Sequence, residues 1–535
     1  MPTQPSPQLL NQAPSGLRTS PQRVLPHSER TRAASAARDL HDIAATRRIE
    51  HASALQLPPH TLMQRAGLSV ARLALALYPH AQTIWIACGP GNNGGDGLEA
   101  ASHLQRWGKT VRLTWLGTPE RCSADTLASF EQARQSGVVV AAEPPQQHDL
   151  AIDALLGIGA STAANTASTN AAPRDIDARM ADWIALMNQG RSPVLAVDLP
   201  SGLQADTGLA SPHTVHAHHT LSLLTLKPGL FTAQGRDHCG DIWFDPLGCD
   251  ATALAGETAT ARLSATPRAA NRARLAHASH KGSFGDVVVI GGAPGMGGAA
   301  LLAASAALHA GAGRVLVGML DAGVTDTSIS VDAHQPELMF RPVESLDLRN
   351  AVAVCGCGGG DAVRRHLPRV LATAAVAVLD ADALNAIAQD ANLQTQLQRR
   401  AGRNQPTVLT PHPLEAARLL GLTTPQIQAD RLACAQQLAA RFACTVVLKG
   451  SGSVIAAAGH VSHINPSGNA LLATAGTGDV LAGMIGAALA SLASLAEGRD
   501  TFEAVVDAVY RHGRAADQWP PATPLTASAL ARRCA

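Results

Sequence analysis

Short uninterrupted apolar runs, each followed by a helical stretch, recur along this chain in two separate series. A half-exposed strand alternates apolar with polar residues, so continuous runs belong to parallel sheets covered by helices on both faces. In the first series TIWIACG (83–89), KTVRLTWLG (109–117), LAIDALLGIG (150–159) and SPVLAVDLPSG (192–202) read as strands. Between them GLEAASHLQRWG (97–108) carries Leu98, Ala101, Leu104 and Trp107 on one helical stripe, and 176–190 is a second helix. Ahead of them, 46–78 has helical periodicity broken at Pro58–Pro59. The second series comprises DVVVIGG (286–292), RVLVGML (314–320), AVAVCG (351–356), VAVLDAD (376–382), TVLTPHP (407–413) and TVVLKG (445–450), with 453–465 as a hairpin arm. The expected fold class is α/β, as two three-layer domains.

The bulk numbers agree with two domains. At 535 residues the chain exceeds what one core usually covers. Aromatics make up only 3% of it while alanine and glycine abound, which suits close helix-on-sheet layers. A net charge of +1 argues against broad nucleic-acid or anionic-membrane binding. Nine cysteines without scaffold spacing predict reduced thiols and a cytoplasmic setting. The uncharged run 480–496 is too short and too rich in alanine for a bilayer and predicts a buried helix. Residues 1–45, rich in Ser, Pro, Gln and Arg, read as a disordered extension, 161–173 as a low-complexity surface loop, and 251–275 as a linker. The second domain then covers 276–515, leaving 516–535 as a tail.

Two glycine-rich loops carry the chemistry. GPGNNGGDG (89–97) and GTGDVLAGM (476–484) each precede a helix, so backbone N–H groups and the positive end of the helix dipole can face a phosphate. Each holds an acid, Asp96 and Asp479, which an anion cradle would otherwise avoid. Asn92, Asn93 and Asp96 offer oxygens to a cation or hydrogen bonds to a ribose or amide. Asp479, at the expected start of a helix near 480, suits a base acting on a hydroxyl that is being phosphorylated, as in ribokinase-like small-molecule kinases. KGSGS (449–453) follows a buried strand and supplies a lysine and small residues suited to nucleotide phosphates, and His412 stands in a loop at a strand's carboxyl end.

RIEHA, LMQRAG, CGPGNNGGDGLEAA, DALLGIG, VLAVDLPSGLQADTG and TLKPGLFT, in that order over 46–248, resemble the epimerase domain of NAD(P)H-hydrate repair enzymes. The resemblance implies a Rossmann-like domain, bounded here as 46–250. It implies that Asn92, Asn93, Gly94, Gly95 and Asp96, with Gly157 and Asp198, contact the hydrated dinucleotide. It also implies a potassium ion on Asn93, Asp153 and Ser201, whose hard oxygens suit such a cation. Asp198, at a strand's carboxyl end, is read as a substrate ligand and proton-transfer group, with a helix N-cap as the competing reading. The GTG and following arginine usual in the family are here Gly157-Ile158-Gly159 and an Ala/Thr/Asn stretch.

HKGSFGDVVVIGGAPGMGGAALLAASAALHAGAGRV (280–315), LDADALN (379–385), LTPHPLEAARLLG (409–421), VLKGSGSVI (447–455) and GNALLATAGTGDVLAGMIGAAL (468–489) are similar to the dehydratase domain of the same enzymes, over 276–515. This implies a ribokinase-like domain in which Ala299, Gly358, His412 and Asp479 face the substrate. Lys449, Gly450, Ser451, Gly452, Ser453 and Gly478 would hold ADP, with magnesium on the nucleotide. Leu414 stands where glycine is usual, and CGCGGG (355–360) replaces a Gly-Pro-Gly pattern. The resemblance also implies association of identical subunits. A true kinase with a non-enzymatic nucleotide-binding first module is the alternative. His213, His216, His218 and His219 lack the acids or thiols that would complete a metal set, and Cys355 and Cys357 read as buried inert thiols.

Overall fold

The computed structural model describes residues 21–24, 38–161, 176–250, 256, 258–267, 277–320, 331–494 and 500–533. The chain divides between Thr260 and Ala261 into two compact units, each built on its own sheet.

Two short strands come first, β1 (Gln22–Arg23) and β2 (Arg38–Leu40), and the sheet of the first unit joins β1 to β3 (Thr83–Cys88), β4 (Thr110–Trp115), β5 (Val139–Ala141), β6 (Leu150–Ala154), β7 (Val194–Val197), β8 (His219–Leu223) and β9 (Asp241–Asp245). Its sheet runs β1-β9-β8-β7-β6-β3-β4-β5 and is parallel except at the β1 edge. Trp85 on β3 and Trp183 on the helix Ala178–Gln189 are both buried, one on each side of the layer they share. Helices α1 (Ile43–Ala54) and α2 (Thr61–Leu77) precede β3, and α3 (Asn92–Arg106) follows it. Asp42 caps α1 by accepting from the Ala45 N–H at 2.7 Å.

Helix α3 begins at Asn92, five residues earlier than the expected 97, so most of the glycine loop is its first turn. Close packing explains this. A Cβ on Gly97 would lie 2.6 Å from the Ala154 Cβ and 2.7 Å from Cys88 Sγ, and one on Gly94 only 2.0 Å from the Gly89 carbonyl oxygen. The glycines here let a helix lie directly on the sheet, where helix propensity alone would delay its start.

In the second unit the strands are β10 (Ala261–Leu263), β11 (Asp286–Gly291), β12 (Arg314–Met319), β13 (Met339–Phe340), β14 (Val352–Cys355), β15 (Val376–Leu379), β16 (Thr407–Leu409), β17 (Thr445–Leu448), β18 (Val454–Ala456) and β19 (His463–Ile464). They run β13-β12-β11-β14-β15-β16-β17-β18-β19-β10, parallel through β17 and then turning antiparallel through the expected hairpin. The helices Gly297–His309 and Thr477–Ser494 pack together over this sheet. A Cβ on Gly483 would lie 2.0 Å from the Ala303 carbonyl oxygen, so small residues set this approach. The run from 480 is thus a buried helix, and among the described residues no helix is long and apolar enough to cross a membrane.

Three boundaries differ from expectation. The linker reading of 251–275 fails at its centre, because β10 pairs Arg262 and Leu263 with His463 and Ile464. The stretch after 515 is not a loose tail: the helices Thr501–Asp517 and Ala527–Ala531 bury Trp519, Leu525 and Leu530 against Val480 and Met484. The extension ending at 45 contains β1, β2 and the start of α1. Three residues, one of them an arginine, in a polar context gave β10 too weak a signal to see. Residues 162–173 of the low-complexity stretch lie outside the described residues.

Two candidate active sites

In the first unit a cavity of about 660 Å³ opens where β3, β6 and β7 end, the position at which open parallel sheets place ligands. The first turn of α3 brings Asn92, Asn93 and Asp96 to it, the segment after β6 brings Gly157, and the end of β7 brings Asp198. Both side-chain polar atoms of Asn93 are buried, with no hydrogen-bond partner among the described residues. A Cβ on Gly157 would stand 3.3 Å from Asn93 Oδ1, so this glycine keeps the amide open. Gly94 and Gly95 do structural work in seating the helix: a Cβ on Gly95 would meet the Met63 Cε at 2.5 Å.

Neighbouring strands join two of the expected cation ligands. Ser201 donates its N–H to Asp153 Oδ2 at 2.8 Å and its hydroxyl to Oδ1 at 2.6 Å, while the Leu156 N–H donates to Ser201 Oγ at 2.8 Å. Burial pushes the Asp153 carboxyl up to about 6 despite these donors. An uncommitted amide oxygen on Asn93 and a buried carboxylate with a hydroxyl form a donor set that fits a hard monovalent cation.

Asp198 sits in the left-handed region at φ 64°, and no helix begins after it before Pro228, so the N-cap reading is overturned. Its carboxylate instead accepts from the Leu223 N–H at 3.1 Å and from the ammonium of Lys227, which is itself buried and also donates to the Leu223 carbonyl at 2.9 Å. Burial first, and then Asp198, Glu50 and Glu99, push the Asp96 carboxyl well above the usual range, with Lys227 opposing. Lys227 and Glu50 also line this cavity, and sequence reasoning left both without a role. A lysine inside the apolar TLKPGLFT run was the available signal for the first, and the acid in RIEHA for the second.

The second site gathers at the ends of β14, β15 and β17 and at the start of the helix Thr477–Ser494. Gly356, Gly358 and Gly360 all have positive φ, and a Cβ on Gly358 would lie 2.8 Å from the Ala299 Cβ, so these two expected contacts adjoin. The helix starts at Thr477, which puts Gly478 and Asp479 in its first turn. Burial, aided by Asp380, pushes the Asp479 carboxyl up to about 6, and a hydrogen bond from Cys357 and the charge of Lys449 oppose it. Cys357 Sγ and the carboxylate oxygens of Asp380 and Asp479 lie within 4.8 Å of one another. Cys357 is therefore buried as expected but is not a bystander: its thiol faces the candidate base.

Lys449 Nζ donates to Asp380 Oδ1 at 2.7 Å, and a Cβ on Gly478 would lie 3.3 Å from it. Burial works against its charge, but Asp380 and Glu415 hold its pKa above the ordinary value. Asp380 also accepts from Thr410 Oγ1 at 2.8 Å. Beyond Lys449, Gly450 and Gly452 have positive φ, Ser453 Oγ donates to the Gly450 carbonyl at 3.1 Å, and Ser451 is exposed. This turn rests on the buried Arg431, whose guanidinium donates to the carbonyls of Leu448 at 3.2 Å and Lys449 at 3.0 Å.

His412 caps the helix Pro413–Leu420. Its Nδ1 accepts from the Leu414 and Glu415 N–H groups, which leaves the proton on Nε2, 3.2 Å from Glu415 Oε1. Burial lowers its pKa, so it presents a neutral ring at the site's edge. In the histidine cluster of the first unit, His218 Nδ1 accepts from the Val194 N–H and His216 stacks on His238.

Fold and sites together define a two-domain α/β enzyme with an acid-bearing crevice in each unit. The profile of the YjeF-related protein N-terminus matches residues 59–229, and that of NAD(P)H-hydrate dehydratase matches 287–532. The bifunctional NAD(P)H-hydrate repair enzyme Nnr of Escherichia coli is 35% identical over 478 residues, covering 88% of this chain and 87% of that one. The corresponding protein of Coxiella burnetii is 34% identical over 86% of this chain and 90% of its own length. Among solved structures, the ADP/ATP-dependent NAD(P)H-hydrate dehydratase of Bacillus subtilis, co-crystallised with ATP and magnesium, is 29% identical over 51% of this chain and 92% of its own, with a TM-score of 0.40. The chain belongs to the family of bifunctional NAD(P)H-hydrate repair enzymes.

Proposed function

We propose that the first unit interconverts the R and S epimers of hydrated NADH and NADPH at C6, and that the second returns the S form to the reduced nucleotide at the expense of ADP. The observation that carries this reading is the presence, in one chain of this family, of two separate crevices that each hold a buried acid. Asp479 in the first turn of a helix, beside a charged lysine, suits removal of a hydroxyl proton during phosphoryl transfer.

Asp479 takes the proton of the C6 hydroxyl, and the oxygen attacks the β-phosphorus of ADP, releasing AMP. Phosphate then leaves C6 as the ring nitrogen's lone pair forms the iminium, and loss of a C5 proton restores the 5,6 double bond. Lys449 and the helix start steady the transferring group, while Gly450 to Ser453 and Gly478 hold the nucleotide. Ala299, Gly358 and His412 border the nicotinamide side. Magnesium bound with the nucleotide would supply charge neutralisation.

In the first unit Asn93, Asp153 and Ser201 would hold potassium, which offsets pyrophosphate charge. Asn92 to Asp96, Gly157 and Asp198 contact the dinucleotide. Association of identical subunits and a cytoplasmic setting belong to the same reading.

Product analysis tests it. Phosphate released in step with recovery of reduced-nicotinamide absorbance is the expected result. Phosphate retained on an organic product would mean a kinase instead.

A further inference from the structure

The first unit's cavity holds an acid that no structural role claims. Glu50, on α1, lines it together with Asp96, Asp198 and Lys227. Apart from Asp96, which also lines the cavity, the buried acids of this unit are committed. Asp153 serves Ser201, Glu99 accepts from Ser129 and Gln132 and pairs with His60, and Asp198 is fixed by Lys227 and Leu223. Among the described residues no group is hydrogen-bonded to the Glu50 carboxyl. From this placement we infer that Glu50 is a catalytic residue of the epimerase, the general acid that protonates the departing C6 hydroxyl, with Asp198 as its partner base.

The inference rests on the epimerase reading of this cavity and adds a mechanism to it. C6 of the hydrate carries a hydroxyl next to the ring nitrogen. Glu50 gives its proton to that oxygen, the C6–O bond breaks toward the oxygen, and water leaves. The N1 lone pair forms the N1=C6 bond of an iminium cation. Water then adds through its oxygen to the other face of C6 and yields a proton to the Asp198 carboxylate, while the C6=N1 electrons return to nitrogen. No electrons enter or leave overall. The enzyme ends with the proton on Asp198 and a Glu50 carboxylate, the form that catalyses the reverse direction.

The surroundings divide these roles. The Lys227 ammonium touches Asp198. Glu50 faces Asp198 and Lys227 from the sheet side, Arg47 on its own helix and Asp96 on α3. Burial, then the Asp198 charge, raises its pKa, and Lys227 and Arg47 oppose this more weakly. The division of roles therefore follows the contacts: Asp198 is tied to the buried ammonium, and Glu50 faces the cavity without one bonded to it among the described residues.

Glu50→Gln in the full chain is the test, with R-form turnover read as absorbance recovery in the presence of ADP. Epimerisation kcat is expected to fall about 10²–10⁴-fold with KM within a few-fold, the span general acids supply. Turnover of pure S hydrate by the same preparation should be unchanged, which controls for folding. Wild-type epimerisation should decline on the alkaline side as Glu50 loses its proton. Glu50→Gln should lack that limb, and Glu50→Asp should restore part of the rate. In ¹⁸O-water the product oxygen at C6 should carry the label. An unchanged kcat in Glu50→Gln, an alkaline limb abolished by Asp96→Asn instead, or unlabelled product would overturn the inference while leaving the epimerase reading intact. No R-form turnover by the wild type would instead remove the reading beneath it.

Discussion

Asp479 does its work through neighbours that its own motif does not contain. Burial and Asp380 raise its carboxyl to about 6, and the Cys357 thiol and Lys449 restrain the rise. A base must be ionised, so dehydration kcat/KM should climb about tenfold per unit as pH rises toward 6 and level off above it. Asp479→Asn should lose about 10²–10⁴ in rate by the same principle. Cys357→Ala removes a donor that favours the carboxylate, so its acid limb should move to higher pH; a limb that stays put would mean the thiol is only filler. In the first unit, Lys227→Met strands the Asp198 carboxylate and should destabilise that unit by about 3–5 kcal/mol in denaturant titration. The motifs made Asp479, His412 and Asn93 legible, because each lies in a short segment whose local form dictates its chemistry. Cys357, Asp380, Lys227 and Glu50 were not, since their roles come from partners far along the chain. Asp380 and Lys449, for example, meet across 69 positions.

At the level of elements, uninterrupted apolar runs marked every strand of the parallel cores that they were used to place. Strands such as β5, β8, β9, β10 and β13 escaped because their pairing is set by neighbours and not by their own composition. The start of α3 was misplaced for a related reason: its glycines signal a loop by propensity but serve close packing. Gly97→Ala should cost about 1–3 kcal/mol, because its Cβ has only 2.6 Å to Ala154. Gly91→Ala, with φ −97° and nothing within 4 Å of the added Cβ, should be near neutral in the same melts. The nucleotide turn makes a second case. Arg431→Gln loses the fork under Leu448 and Lys449 and should raise KM for ADP about tenfold, on the scale of one lost charge-assisted hydrogen bond. R-form epimerisation should not change.

For the whole molecule, the two-unit plan was readable because each half repeats the strand-then-helix pattern around its own core. The division itself falls at 260/261, inside the segment whose polar composition had suggested a linker. Two sites on two cores predict separable chemistry. Exchanging potassium for a bulky quaternary ammonium ion should slow R-form epimerisation and leave S-form dehydration in place, because Asn93, Asp153 and Ser201 all belong to the first unit. Equal loss of both activities would contradict that assignment. The central claim is that one chain rescues both epimers, and absorbance recovery on a mixed R and S hydrate of NADH, with ADP and magnesium, tests it most directly. Wild type should approach complete recovery, Asp479→Asn should recover none, and Asp198→Asn should stop at the S fraction. Recovery that stops at the S fraction in the wild type, or none at all with ADP or ATP, would contradict the account.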